Sequence, residues 1–198
     1  MATFGKITNG ASSSNDTVDN KIVSQATPGS GGTVVSLTAR IWVSAAGTCN
    51  WRGVIYSDTA GEPDALLAVT DDASFTNTTE AENTATFSGA NLITLVSGTP
   101  YWIGVHYQDP GSVDFTISRD ATATLRRTGD GDTWTGGATN PFGTTNVLSG
   151  PIDVYVTYTE GGAAGPANVK TVNGLAIASV KTVNGLAIAS VKTINGLG

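Results

Sequence analysis

The chain has 198 residues, enough for one ordinary domain with an appendage, and only 13% of them are charged, about half the usual ~25% of a soluble domain. The net charge of −6 is uneven: Met1 to Glu160 holds seven basic and sixteen acidic residues (net −9), whereas Gly161 onward holds Lys170, Lys181 and Lys192 and no acid (net +3). An acidic body argues against nucleic-acid binding, which needs a basic patch to neutralise phosphates. No stretch approaches the ~20 apolar residues of a membrane span. The N-terminus lacks a charged segment followed by an apolar run, so no secretory signal is expected.

Residues 1–31, rich in Ser, Asn, Gly and Thr, read as an N-terminal arm with one strand around Lys21–Gln25. From Thr33 the pattern changes. Val35, Leu37, Ala39, Ile41 and Val43 alternate with Ser36, Thr38, Arg40, Trp42 and Ser44, the period-two pattern of a half-buried strand. Trp51–Tyr56 follows, then a turn cluster from Ser57 to Asp64, and a short strand at Leu66–Val69. Further strands are expected at Thr84–Phe87, Leu92–Leu95, Tyr101–Tyr107, Val113–Ser118, Thr122–Arg126 and Ile152–Tyr158. No window of ten or more residues carries a helical stripe. Short strands joined by Gly-rich turns predict an all-β body over 32–160, a β-sandwich of jelly-roll type.

A Gly/Ala linker at 161–168 leads into a repeat tail over 169–198, with units starting at Val169, Val180 and Val191. Repeats of this size act by stacking one unit on the next. Two structures compete. Eleven residues is three helical turns at 3.67 per turn, the period of a right-handed coiled coil. Each unit, however, carries Asn-Gly (Asn173-Gly174, Asn184-Gly185, Asn195-Gly196), the strongest two-residue hairpin signal, and Gly costs about 1 kcal/mol relative to Ala inside a helix.

The β reading fits better. It pairs Val183 with Leu186, Lys181 with Ile188, Ser179 with Ser190, Ile177 with Lys192 and Leu175 with Ile194. The opposite face would carry Ala176, Ala178, Val180, Ala187, Ala189 and Val191. Such a ribbon is too small for a core of its own and exposes apolar faces and open edges. Val169, Val172, Leu175, Ile177, Val180, Val183, Leu186, Ile188, Val191 and Ile194 are therefore the expected assembly interface, with another copy of the chain the expected partner.

The tail resembles the VKTVNGLA and IKSINGLA repeats near the C-termini of phage structural proteins, and more loosely the IKTINGxSLLG motif of tail-fibre proteins. Within the body, Trp51-Arg-Gly-Val-Ile-Tyr-Ser-Asp-Thr-Ala-Gly-Glu-Pro through Leu66-Leu-Ala to Ser97-Gly-Thr-Pro-Tyr-Trp-Ile-Gly-Val-His is similar to a jelly-roll module of virion and cell-surface proteins, IYSDxxGxPxxLLA…GTxYWxGVH. The resemblance implies a structural virion component that assembles in the host cytoplasm with other virion proteins. The alternatives are a carbohydrate-binding attachment module and a subunit of an extracellular homopolymeric filament.

Signals for catalysis are weak, and no enzymatic activity is expected. The single histidine, His106, sits within a strand and reads as a packed or surface residue. No GxSxG, HExxH or phosphate-cradling glycine loop is present. Cys49 has no partner for an intrachain disulfide and reads as a small packed or half-exposed thiol. An oxygen-ligated calcium ion is the sharper alternative, with Asp58, Asp130 and Asp132 as candidate ligands; no other cofactor is implied. A surface glycan could stack on Trp134, Trp51 and Tyr107 with Arg126 and Arg127 as polar contacts, Trp134 being placed in an exposed loop by Gly129-Asp-Gly-Asp-Thr-Trp-Thr-Gly-Gly.

Overall fold

The computed structural model describes residues 1–16, 18–109, 111, 114–121 and 126–161, and in the tail the backbone of 171–172, 175–176, 182–183 and 186–187. The first half of the chain forms β1 (Ala2–Gly5), β2 (Ser12–Asp16), β3 (Asn20–Ala26), β4 (Gly32–Val43), β5 (Cys49–Thr59), β6 (Glu62–Val69) and β7 (Ala73–Phe75). The second half adds β8 (Ala81–Thr86), β9 (Thr94–Leu95), β10 (Tyr101–Tyr107), β11 (Phe115–Arg119), β12 (Arg126–Asp130), β13 (Asn146–Ser149) and β14 (Val154–Glu160). Among the described residues there is no α-helix, only two 3₁₀ turns.

These strands make an antiparallel β-sandwich. One sheet runs β1-β14-β4-β11-β2, with β8 and β9 also pairing β4; the other runs β13-β12-β3-β10-β5-β6, with β7 pairing β5. Their facing sides enclose the main core, which includes Leu37, Ile41, Trp51, Ile55, Ile103, Tyr107, Phe115, Ile117 and Val156. Tyr107 and Phe115 stack across it at 3.7 Å between ring centroids. The compact body is Met1–Thr159, and Glu160–Gly198 is a separate unit.

Residues 1–31 are not an arm. β1 pairs β14, β2 pairs β11, and β3 lies inside the second sheet between β12 and β10. The Ser-rich β2 has no apolar alternation; it gains its extended form by pairing with β11. β4 spans the region where the period-two pattern begins, but its inward face changes parity. Val34, not Val35, is buried with Leu37, Ala39, Ile41 and Val43, and the switch falls where β4 changes partner from β9 to β8.

The expected turn cluster at 57–64 is narrower than its composition suggests. β5 runs to Thr59, pairs Thr59 with Glu62, and reverses through Ala60 (φ 56°) and Gly61 (φ 84°). Positive φ at both central residues is the two-residue hairpin geometry that matches strand twist. Of the strand expected at Thr122–Arg126 only Arg126 lies within the described residues; it opens β12, which runs to Asp130 and carries part of the Gly129-Asp-Gly-Asp run into the sheet.

In the tail, Thr171 pairs with Ala176 and Val172 with Leu175, and likewise Thr182 with Ala187 and Val183 with Leu186. Each ladder leaves two residues, an Asn-Gly, between its inner pair. The Asn-Gly residues expected to turn (Asn173, Gly174, Asn184, Gly185), the third pair Asn195 and Gly196, and Val169, Ile177, Val180, Ile188, Val191 and Ile194 lie outside the described residues.

Candidate functional site

At β10 the second sheet is buried on both faces, and its outer face there holds the unusual chemistry. Every residue of β10 is buried. Tyr101, Ile103, Val105 and Tyr107 point into the main core, while Trp102 joins Val23, Val54, Tyr56 and Phe142 in a second cluster on the other side. The cover is the strap 131–145, which connects β12 to β13. Phe142 packs edge-on against Tyr56 at 5.0 Å, and its N–H donates to the Asp64 carbonyl at 2.9 Å. The Tyr56 hydroxyl donates to the Thr139 carbonyl at 3.0 Å, and the Leu66 N–H donates to Asn140 Oδ1 at 3.1 Å. Gly143 takes φ +97° where a Cβ would collide with the Asp130 carboxylate, so the strap closes on Asp130 only because that position is glycine.

Strand register sets the polar residues in one transverse row. Asp130 pairs with Lys21, Lys21 with His106, and His106 with Arg52, across β12, β3, β10 and β5. Directly paired residues share a sheet face, so the row is a line of neighbouring side chains beneath the strap. Lys21 is fully buried. Its Nζ lies 2.5 Å from Asp132 Oδ2 and 3.4 Å from Asp130 Oδ2, also donates to Thr139 Oγ1, and stands over the Phe142 ring at 4.5 Å. A lysine survives such burial only if its charge is compensated. Two carboxylates supply that compensation.

His106 is fully buried between the two cations of the row. Neither ring nitrogen makes a hydrogen bond of good geometry among the described residues. Burial first, and then the neighbouring Arg52 charge, lower its pKa from 6.5 to about 4, while Asp132 and its main chain pull the other way. It is therefore neutral near pH 7. Burial, with Asp132 and Asp130 adding to it, pushes the Tyr56 phenol above its ordinary value.

These placements revise the aromatic platform expected from the sequence. Trp51 and Tyr107 belong to the inner core, at 1% and 0% exposure, and cannot stack on a solvent-borne ligand. Trp134 is half-buried, not displayed. Its ring takes the Arg52 guanidinium at 3.9 Å and lies 5.4 Å from the His106 ring, a cation–π arrangement that closes one end of the row. Arg126 and Arg127 stand on β12, opposite Ser149 and Leu148. Their side chains lie outside the described residues.

The carboxylates expected to hold calcium are not gathered into one site. Asp58 Oδ1 accepts from Trp102 Nε1 at 2.8 Å and from Gln25 Nε2 at 2.5 Å, whereas Asp130 and Asp132 face Lys21. Among the described residues no group of three or more His, Cys, Asp or Glu side chains could hold a metal. An ammonium fills the place between Asp130 and Asp132 that a cation would take.

Lys21 was legible only as a residue of a short strand; the missing signal was its partner 111 residues along the chain. Cys49 is fully buried, and burial, with Asp109 and Asp19 adding to it, pushes its thiol up to about 12. A separate cleft of about 440 Å³ at the edge of the sandwich is lined by Lys6, Ser24, Gln25, Asp120 and neighbours, but Lys6 is already engaged by Asp120 at 3.2 Å and Asp153 at 3.1 Å.

The fold and this outer face define an all-β sandwich with a strapped second layer. No family model matches the chain, and no curated protein matches it.

Proposed function

We propose that the protein is a structural, non-catalytic subunit that assembles with copies of itself through its C-terminal repeats, as a component of a virion surface, tail or fibre. The observation that carries this reading is the eleven-residue repetition itself. Among the described residues, two of its three Asn-Gly units are each flanked by a ladder of two residue pairs, and a lone two-stranded hairpin is marginal in water. Its apolar Leu, Ile and Val positions need a surface to cover them, and its three lysines with no acid suit the −9 body of a neighbouring copy. The sequence resemblance to phage structural repeats points the same way. No helix among the described residues is long and apolar enough to cross a membrane.

The test is the mass in solution of the full-length protein beside a version ending at Glu160. The full-length chain is expected to be oligomeric and the truncated one smaller. Retention of the full-length oligomer by the truncated form would refute the reading. A glycan-binding body, in contrast, would keep its ligand after truncation.

A further inference from the structure

We propose that Lys21 and Asp132 become joined by an intramolecular amide bond, formed by the protein itself once the strap has closed. Four observations carry it, independently of the tail's role. The amine and the carboxyl group are both withdrawn from water, with side-chain exposures of 0% and 5%, and Nζ stands 2.5 Å from Oδ2. The carboxyl carbon is one covalent bond beyond that oxygen, so Nζ already stands close to the ~3–3.5 Å from which an oriented nucleophile attacks. The two groups are therefore held together as an intramolecular reaction requires.

The second observation is a proton carrier. Asp130 lies 3.4 Å from the same Nζ and is 20% exposed, so it touches both the reacting amine and solvent. The third is a pair of donors on the oxygen that gains charge during attack. The Thr139 N–H and hydroxyl both donate to Asp132 Oδ2, at 2.8 and 3.1 Å, as oxyanion-stabilising groups must. The fourth is dryness. Phe142 and Tyr56 place their rings 4.5 and 5.8 Å from Nζ, and a site closed to water favours condensation over hydrolysis.

The step balances without any other reagent. Asp130 takes a proton from the Lys21 ammonium, and the freed lone pair attacks Cγ of Asp132 to form the C–N bond. The oxygen held by Thr139 carries the developing charge and remains as the amide carbonyl. The other carboxyl oxygen leaves as water, with two of the three protons that began on Nζ, relayed by Asp130. Nothing is oxidised or reduced, and Asp130 ends as it began. The product also removes an electrostatic cost: a buried ion pair must be desolvated, whereas a neutral amide with its N–H toward Asp130 has one charge pair fewer to shield. The bond would close a loop spanning 111 positions and tie β3 to the strap.

Intact-mass spectrometry of the purified full-length protein tests this directly. The expected mass is lower than that of the sequence by one water molecule, any loss of Met1 being accounted for by its own peptide. Tryptic digestion should fail to cut after Lys21 and should yield one branched peptide containing Lys21 and Asp132. Lys21→Met and Asp130→Ala should both restore the full mass, the second with both reacting groups still present. An uncondensed mass together with normal cleavage after Lys21 in the folded wild-type protein would overturn the proposal, leaving an ordinary ion pair. Condensation in Asp130→Ala at the wild-type rate would overturn the role given to Asp130.

Discussion

His106 makes the stability of the body depend on pH in a window where little else titrates. In the folded protein its pKa is about 4 against an ordinary 6.5. As the pH falls through about 6.5 the unfolded chain takes up a proton that the folded form refuses until about pH 4, so stability is present above the window and lost on descending through it. One pKa unit corresponds to about 1.4 kcal/mol. The whole shift is therefore worth about 3 kcal/mol, and about 2 kcal/mol of it should be lost between pH 7 and pH 5. Ordinary carboxylates titrate at about 3.9–4.3, below that interval, and the chain contains one histidine. Urea denaturation at the two pH values should therefore show the loss in the wild type, and thermal melting a fall of about 4–8 °C. His106→Leu, which leaves nothing to protonate between Lys21 and Arg52, should be nearly flat across the same interval. A wild type with no slope, or a Leu variant with the same slope, would refute the claim that His106 is held neutral by burial between two cations.

Other expectations follow from the same geometry. Phe142→Ala should cost about 3–5 kcal/mol in urea denaturation, the usual range for a fully buried phenylalanine, and should red-shift tryptophan emission by loosening the strap that covers Trp102 and carries Trp134. Gly104→Ala should prevent or severely weaken folding, because a Cβ there would run into the Ile22 main chain, whereas at Gly131 it meets open space and circular dichroism of Gly131→Ala should match the wild type. Cys49, buried and with its thiol pushed up to about 12, should resist a thiol reagent in the native protein and react once urea is added; rapid native labelling would contradict its placement.

Strand content was legible where one face met the core. Tyr101–Tyr107 was marked out by Ile103 and Val105 between aromatic ends, and it occupies the limits expected of it. What its period could not reveal is that Trp102, Gly104 and His106 on the other face are buried as well. That burial comes from Phe142 and Trp134, whose strap closes through hydrogen bonds to β6 and to Asp19, and alternation within a strand carries no information about a layer supplied from 30 or 40 positions away. The aromatic platform failed for a related reason. Trp51 and Tyr107 have polar tips, and residue type alone does not say which face of a two-layered sheet a ring will occupy.

By itself the sequence determined the all-β class, from alternation and Gly-rich turns that act over a few residues, and it displayed the tail's eleven-residue period openly. Only the tertiary structure decided that the Ser-rich N-terminus supplies β1 and β2 besides the strand expected at Lys21–Gln25, because β2 has no apolar face and is extended by its partner β11. It alone also turned Asp130 and Asp132 from loop acids into the neighbours of a buried ammonium. Hydrophobic periodicity is a local property that survives in one dimension. Strand register and charge pairing join residues as distant as Lys21 and Asp132, and their energies exist only once desolvation has brought both partners to the same place.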